Sequence, residues 1–97
     1  MAILKEMFKE EKERLLKMKK FYINKIQELP KGSIVFKNRG NRRYPYLVYR
    51  IGEKVKTDYL KVNADELKEI EFKINKRKKY IKLVKNINND LMVLGRF

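Results

Sequence analysis

The segment 29–33 (Leu-Pro-Lys-Gly-Ser) constrains the fold most, because it separates two patterns that one regular element cannot accommodate. Before it, apolar residues recur at three- and four-residue spacing over residues 1–29, which is typical of an amphipathic helix. A residue before proline is disfavoured in the helical conformation, so Pro30 ends this helix. After the segment, β-branched and aromatic residues dominate and turn residues recur at short intervals, which predicts strands.

The predicted first helix has one apolar seam that contains a single acid, Glu11. The seam consists of Leu4, Phe8, Leu15, Met18, Tyr22, Ile26 and Leu29. Its spacing approaches the heptad repeat of a coiled coil, so we expect it to pack on another helix.

Three strands are predicted over residues 33–62, joined by two-residue turns. The strands are Ser33–Asn38, Arg43–Ile51 and Lys54–Val62. The central turn residues are Gly40-Asn41 and Gly52-Glu53, since glycine adopts the backbone conformation that tight hairpins require. Pro45 cannot donate to a sheet ladder and should face a sheet edge or a bulge, which counts against a middle strand.

The second helix is predicted over residues 63–94. Asn63 with Glu66 resembles a capping box at its start, and Gly95 is a plausible C-terminal cap. Its apolar seam consists of Leu67, Ile70, Ile74, Ile81, Val84 and Leu91, interrupted by Arg77 and Asn88.

These elements predict an α+β protein with a single domain over residues 1–97. The two helices form an antiparallel, coiled-coil-like hairpin, and the three-stranded antiparallel meander caps one end. Counting along both helices from that end places Glu11 near Arg77, where a seam ion pair would fix the register. The alternatives are that both side chains are exposed, or that the seams pair with a second copy, so monomer and homodimer both remain open.

The composition narrows the function classes. The chain has 26 Lys and Arg against 12 Asp and Glu, a net charge of +14, and neither Cys nor His. Disulfide scaffolds, thiolate zinc sites and catalysis by Ser-His or Cys-His pairs are thereby excluded. The three aspartates have no metal-ligand spacing, so we expect no metal, no cofactor and no enzymatic activity. The N-terminus is charged at once, and no apolar run could span a membrane, so we expect a cytoplasmic protein.

A chain this basic attracts polyanions, among which nucleic acid is the commonest. The predicted register collects tyrosines and bases on one sheet face, where stacking and phosphate contacts could combine. The turn between the first two strands adds three arginines, and the second helix carries seven bases from Lys73 to Lys85. The candidate nucleic-acid-binding residues are Lys37, Arg39, Arg42, Arg43, Tyr44, Tyr46, Arg50, Tyr59, Lys61, Lys76 and Lys79. An ordinary solvated surface is the alternative for each group. A membrane role for the helix is not expected, because its apolar side is already used by the seam.

Several segments together resemble a family of short uncharacterised proteins from bacteria, archaea and their mobile elements. These are 29–34 (LPKGSI), 44–50 (YPYLVYR), 52–56 (GEKVK) and 59–60 (YL), followed by a charged helix. The resemblance covers residues 29–85 and implies the fold and a phage or mobile-element context, with a helix added at the front. The order of three strands and a helix is also similar to the arm-type DNA-binding domain of integrases.

The sequence thus predicts a small, basic, non-catalytic DNA- or RNA-binding protein of a phage or mobile element. The alternative is a phage-encoded inhibitor of a host defence nuclease, in the manner of anti-CRISPR proteins, which would bind the nuclease or its guide RNA.

Overall fold

The computed structural model describes residues 2–96, which form a helix, a three-stranded sheet and a second helix in that order along the chain. The elements are α1 (Ala2–Glu28), β1 (Ser33–Arg39), β2 (Arg42–Ile51), β3 (Lys54–Tyr59) and α2 (Ala64–Leu94). The predicted α+β class and element order are confirmed. Met1, which the predicted first helix included, and Phe97 lie outside the described residues. Within the described part of the chain, neither helix has an apolar stretch long enough to cross a membrane.

The chain divides into two compact units, and the helical one joins α1 to the part of α2 that begins at Arg77. Its interior contains Leu15 and Ile87, each only 5% exposed. The rings of Tyr22 and Tyr80 lie 5.2 Å apart, centroid to centroid. A recess near the other end is lined by Phe8 and Leu94, among others. Because low numbers on α1 meet high numbers on α2, the helices are antiparallel, as predicted.

The seam of α2 departs from the predicted one after Arg77. Ile81 is 42% exposed and Asn88 is exposed, whereas Tyr80 is half-buried and Ile87 is buried. The inward positions after Ile74 thus advance by two consecutive steps of three residues, to Arg77 and Tyr80, before the seven-residue spacing resumes at Ile87. The predicted seam of α1 is confirmed from Phe8 onward, while Leu4 is 47% exposed.

The proposed ion pair between Glu11 and Arg77 is wrong. Glu11 accepts a hydrogen bond at 3.0 Å from Arg14, one turn along the same helix. It lines a recess that also contains Asp90 and Val93, far along α2 from Arg77. The error comes from counting both helices from the sheet, since residues 64–76 of α2 belong to the sheet unit and α1 pairs with the later part.

The sheet has the order β1-β2-β3 with both neighbouring pairs antiparallel. Arg39 pairs with Arg42 beside the first turn, and Ile51 pairs with Lys54 beside the second. The first residue of each turn is a glycine with positive φ, 66° at Gly40 and 60° at Gly52. This is the type II′ geometry, whose twist suits a two-residue hairpin. Both predicted turns are confirmed.

Strand β3 ends at Tyr59, three residues before its predicted end at Val62, and Pro45 explains why. In the β2–β3 register Pro45 lies opposite Leu60, whose N–H donates to the Pro45 carbonyl at 3.0 Å. The return bond is impossible because proline has no N–H. Pro45 therefore sits in the middle strand at the point where β3 pairing stops.

Both ends of α2 have the residues that the sequence predicted there, Asn63 at the start and Gly95 after the last turn. Asn63 caps α2, because its Oδ1 accepts from the Glu66 N–H at 2.8 Å and its amide donates to the Glu66 carboxylate at 2.9 Å. The N–H of Gly95 donates to the Leu91 carbonyl at 3.0 Å, which closes the last turn of α2 without a left-handed residue.

Candidate nucleic-acid interface

The strand register divides the sheet into two faces, and the predicted division is confirmed up to Tyr59, where β3 ends. Cross-strand partners share a face, so the pairs Val35–Tyr46 and Tyr46–Tyr59 define one face and the pair Ile34–Leu47 defines the other. We call the first the tyrosine face. It carries Ser33, Val35, Lys37, Arg39, Arg42, Tyr44, Tyr46, Val48, Arg50, Val55, Thr57 and Tyr59.

The three tyrosines of this face form a contacting cluster. The centroid of the Tyr59 ring lies 5.4 Å from that of Tyr46 and 6.0 Å from that of Tyr44. The ring planes meet at 65° and 59°, which is the inclined arrangement that aromatic pairs prefer. Tyr59 is 50% exposed, whereas Tyr44 and Tyr46 are half-buried. Together with Arg39 they line an open recess of about 340 Å³.

Cations border this cluster on the β1 side. The Lys37 ammonium lies 4.8 Å from the centroid of the Tyr46 ring, a cation–π contact. Arg39 and Arg42 face each other directly across the strands next to the turn. Like charges in directly opposed positions destabilise a sheet, so local stability does not account for this pair.

The charge on the tyrosine face has a single sign. It holds four bases, Lys37, Arg39, Arg42 and Arg50, and no acid. All ion pairs described within residues 2–96 lie on the helices. The face can therefore neutralise an anionic ligand without first breaking an internal ion pair.

The one carboxylate of the strands, Asp58, lies on the opposite face. There it accepts a hydrogen bond at 2.7 Å from the Tyr49 hydroxyl. This bond to the carboxylate raises the pKa of Tyr49 above its usual value, with burial and the negative charge acting in the same direction.

Four of the predicted site residues are not part of the tyrosine face. The Arg43 guanidinium lies on the opposite face, 4.6 Å from the centroid of the Phe36 ring. Lys61 follows the end of β3, because pairing stops at Pro45. Lys76 and Lys79 belong to α2, and the Lys76 ammonium lies 5.9 Å from the Phe72 ring.

Two exposed apolar residues of the tyrosine face were absent from the predicted site. Val35 is 42% exposed and Val55 is 59% exposed. The two-residue alternation of a strand already placed them beside the tyrosines, but the predicted site included only charged and aromatic residues. They extend the apolar area of the face on both sides of β2.

The fold and this face define a small basic α+β protein with an exposed aromatic and cationic sheet surface. Residues 8–69, more than half of the chain, match a family described as a domain of unknown function (DUF6788). The chain belongs to this family. The match begins inside α1, so the first helix from residue 8 onward is part of the family pattern. The sequence resemblance, which began at residue 29, had instead suggested that this helix was an addition. No curated protein and no solved structure matches the chain.

Proposed function

We propose that this protein binds nucleic acid, without catalysis, through the tyrosine face. The observation that carries the proposal is the joint placement of three contacting tyrosines and four bases, with no acid, on one sheet face. Aromatic rings provide stacking surfaces for bases, and lysine and arginine provide phosphate contacts.

The opposed arginines support a role in binding over a role in folding. Arg39 and Arg42 repel each other across the hairpin, and both are exposed. A phosphate between the two guanidinium groups would turn this repulsion into attraction, since arginine binds phosphate through its planar fork. The net charge of +14 adds long-range attraction to any polyanion.

The bases outside the tyrosine face have a secondary role in this proposal. Lys76 and Lys79 on α2, with Arg43 and Lys61, strengthen the general attraction and do not define the site. The proposal includes a cytoplasmic location and an origin in a phage or mobile element, where a short basic protein would act on element or host nucleic acid. The arm-type domain of integrases offers a fold-level parallel, with three strands followed by a helix.

The test compares two double variants that each remove two charges from the same sheet. Arg39→Ala with Arg42→Ala changes the tyrosine face, whereas Lys54→Ala with Lys56→Ala changes the opposite face. Binding to labelled oligonucleotides is measured by fluorescence anisotropy over a range of salt. We expect the arginine variant to lose about 10-fold or more in affinity and to lower the salt slope by about two.

We expect the lysine variant to lose less than about 3-fold, because it weakens only the general attraction. Equal losses would show that the attraction is diffuse and that the tyrosine face is not the site. If the parent protein binds no nucleic acid at about 150 mM salt, the proposal fails. In that case the alternative of an inhibitor that binds a host defence nuclease would be tested by pull-down with and without nuclease treatment.

A further inference from the structure

We infer that the tyrosine face takes single-stranded nucleic acid and that Tyr59 is its main stacking residue. This inference rests on the proposed function and names the form of the ligand. The shared chemistry is an unpaired base on a phosphodiester strand, which both RNA and DNA provide.

The spacing of the rings excludes a stack of paired bases as the ligand. Consecutive bases in a duplex strand lie parallel and about 3.4 Å apart. The tyrosine centroids lie 5.4 Å and 6.0 Å apart, and the ring planes are inclined at 65° and 59°. A base that lies flat on one ring cannot remain stacked on a neighbour that lies flat on the next. The cluster therefore fits bases that have turned away from one another. The unpaired bases of a single strand can do this, whereas the bases of a duplex would first have to break their pairs.

Tyr59 has the position and the exposure that a stacking residue needs. It lies directly across the strands from Tyr46 and its ring contacts those of both Tyr46 and Tyr44, so its orientation is held by packing. It is 50% exposed, while Tyr44 and Tyr46 are half-buried. The ring of Tyr46 is in addition covered by Lys37, whose ammonium lies 4.8 Å from the centroid.

The cations lie where the backbone of such a strand would run. Arg39 lines the same recess as the three tyrosines, and Lys37 lies directly across the strands from Tyr44. A base on Tyr59 thus has positive charge on the β1 side of the cluster, within the tyrosine face itself. An adjoining phosphate can approach these side chains while the base remains on the ring.

Charge alone would favour the opposite ligand. A duplex carries more phosphate per unit length than a single strand, so a protein that binds only by charge prefers the duplex. A preference for single strands therefore identifies stacking on bases and cannot result from the net charge of +14.

The experiment measures affinity by anisotropy for three labelled ligands of equal length: oligo-dT, oligo-rU and a mixed-sequence duplex. The variants are Tyr59→Leu, which removes the ring, and Tyr59→Phe, which keeps it. Phe72→Leu is the matched control, because Phe72 is an exposed ring (66%) on α2 with a lysine ammonium 5.9 Å from its centroid. A second readout is quenching of tyrosine fluorescence, which is direct because the chain has no Trp.

We expect at least one single strand to bind more tightly than the duplex, and the oligo-dT and oligo-rU arms then show whether DNA or RNA is preferred. Tyr59→Leu should lose about 5- to 100-fold in affinity for that strand, as stacking residues do, and should quench less. Tyr59→Phe and Phe72→Leu should remain within about 3-fold of the parent.

A duplex that binds as tightly as either single strand would overturn the inference and leave nucleic-acid binding intact. A Tyr59→Leu variant that binds like the parent would overturn the role of Tyr59. Failure of all three ligands to bind the parent protein would overturn the proposed function itself, so the two failures are distinguishable.

Discussion

Replacement of Arg39 by glutamate should stabilise the protein and weaken its binding at the same time. Arg39 and Arg42 are directly opposed beside the Gly40-Asn41 turn, and both are exposed. A cross-strand pair of this kind contributes roughly 0.2–1 kcal/mol, with a sign set by the charges. Arg39→Glu both removes the repulsion and adds an attraction, so its effect on the free energy of unfolding is about twice that of one such pair. Screening by solvent then reduces this value, because both positions are exposed.

The expected gain is about 0.5–1 kcal/mol in the free energy of unfolding. For a domain of about 100 residues this raises the melting temperature by roughly 2–6 °C. Arg39→Gln, which removes the repulsion without adding attraction, should give about half of the gain. Both gains should shrink in about 1 M salt, where the screening length falls to about 3 Å.

Stability is measured by urea unfolding and by thermal melting with circular dichroism, and binding is measured by anisotropy. Lys54→Glu is the control for binding, because it makes the same charge change on the opposite face. A loss of stability in Arg39→Glu would refute the opposed-arginine geometry. A stable Arg39→Glu variant that binds as well as Lys54→Glu would refute the tyrosine face as the binding site.

Two further predictions concern the helical unit and the opposite sheet face. Leu15→Ala and Ile87→Ala, at side chains that are 5% exposed, should each cost about 2–4 kcal/mol. A melting temperature that is independent of protein concentration would support a monomer, whereas one that rises with concentration would indicate a homodimer. The raised pKa of Tyr49 means that its bond to Asp58 stabilises the fold below the ordinary tyrosine pKa of about 10 and is lost as pH rises through the folded value. Titration followed by absorbance should therefore show Tyr49 losing its proton above the usual tyrosine pH range. In Asp58→Ala its pKa should return toward the ordinary value, and an unchanged titration would contradict the hydrogen bond.

Much of the tyrosine face could be predicted from the sequence, because strand geometry is local. Once Gly40 and Gly52 fix two-residue turns, alternation assigns every strand residue to a face. Arg43 was grouped with Arg42 in one basic turn, and the register separates the two because adjacent strand residues point to opposite faces. Lys61 lies outside the strand because β3 ends before its predicted end, although a proline without an N–H already indicated where pairing would stop.

The sequence by itself determined the order of elements, the turns, the cap at Asn63 and the two faces of the sheet. Each depends on residues a few positions apart, where backbone geometry and hydrogen bonding act directly. The tertiary structure alone decided which part of α2 pairs with α1, and hence that Glu11 does not meet Arg77. It also decided that Tyr80 and Ile87 turn inward in place of Ile81 and Asn88. The helix register depends on how much of α2 belongs to the sheet unit, and a repeat of three and four residues fits more than one register equally well.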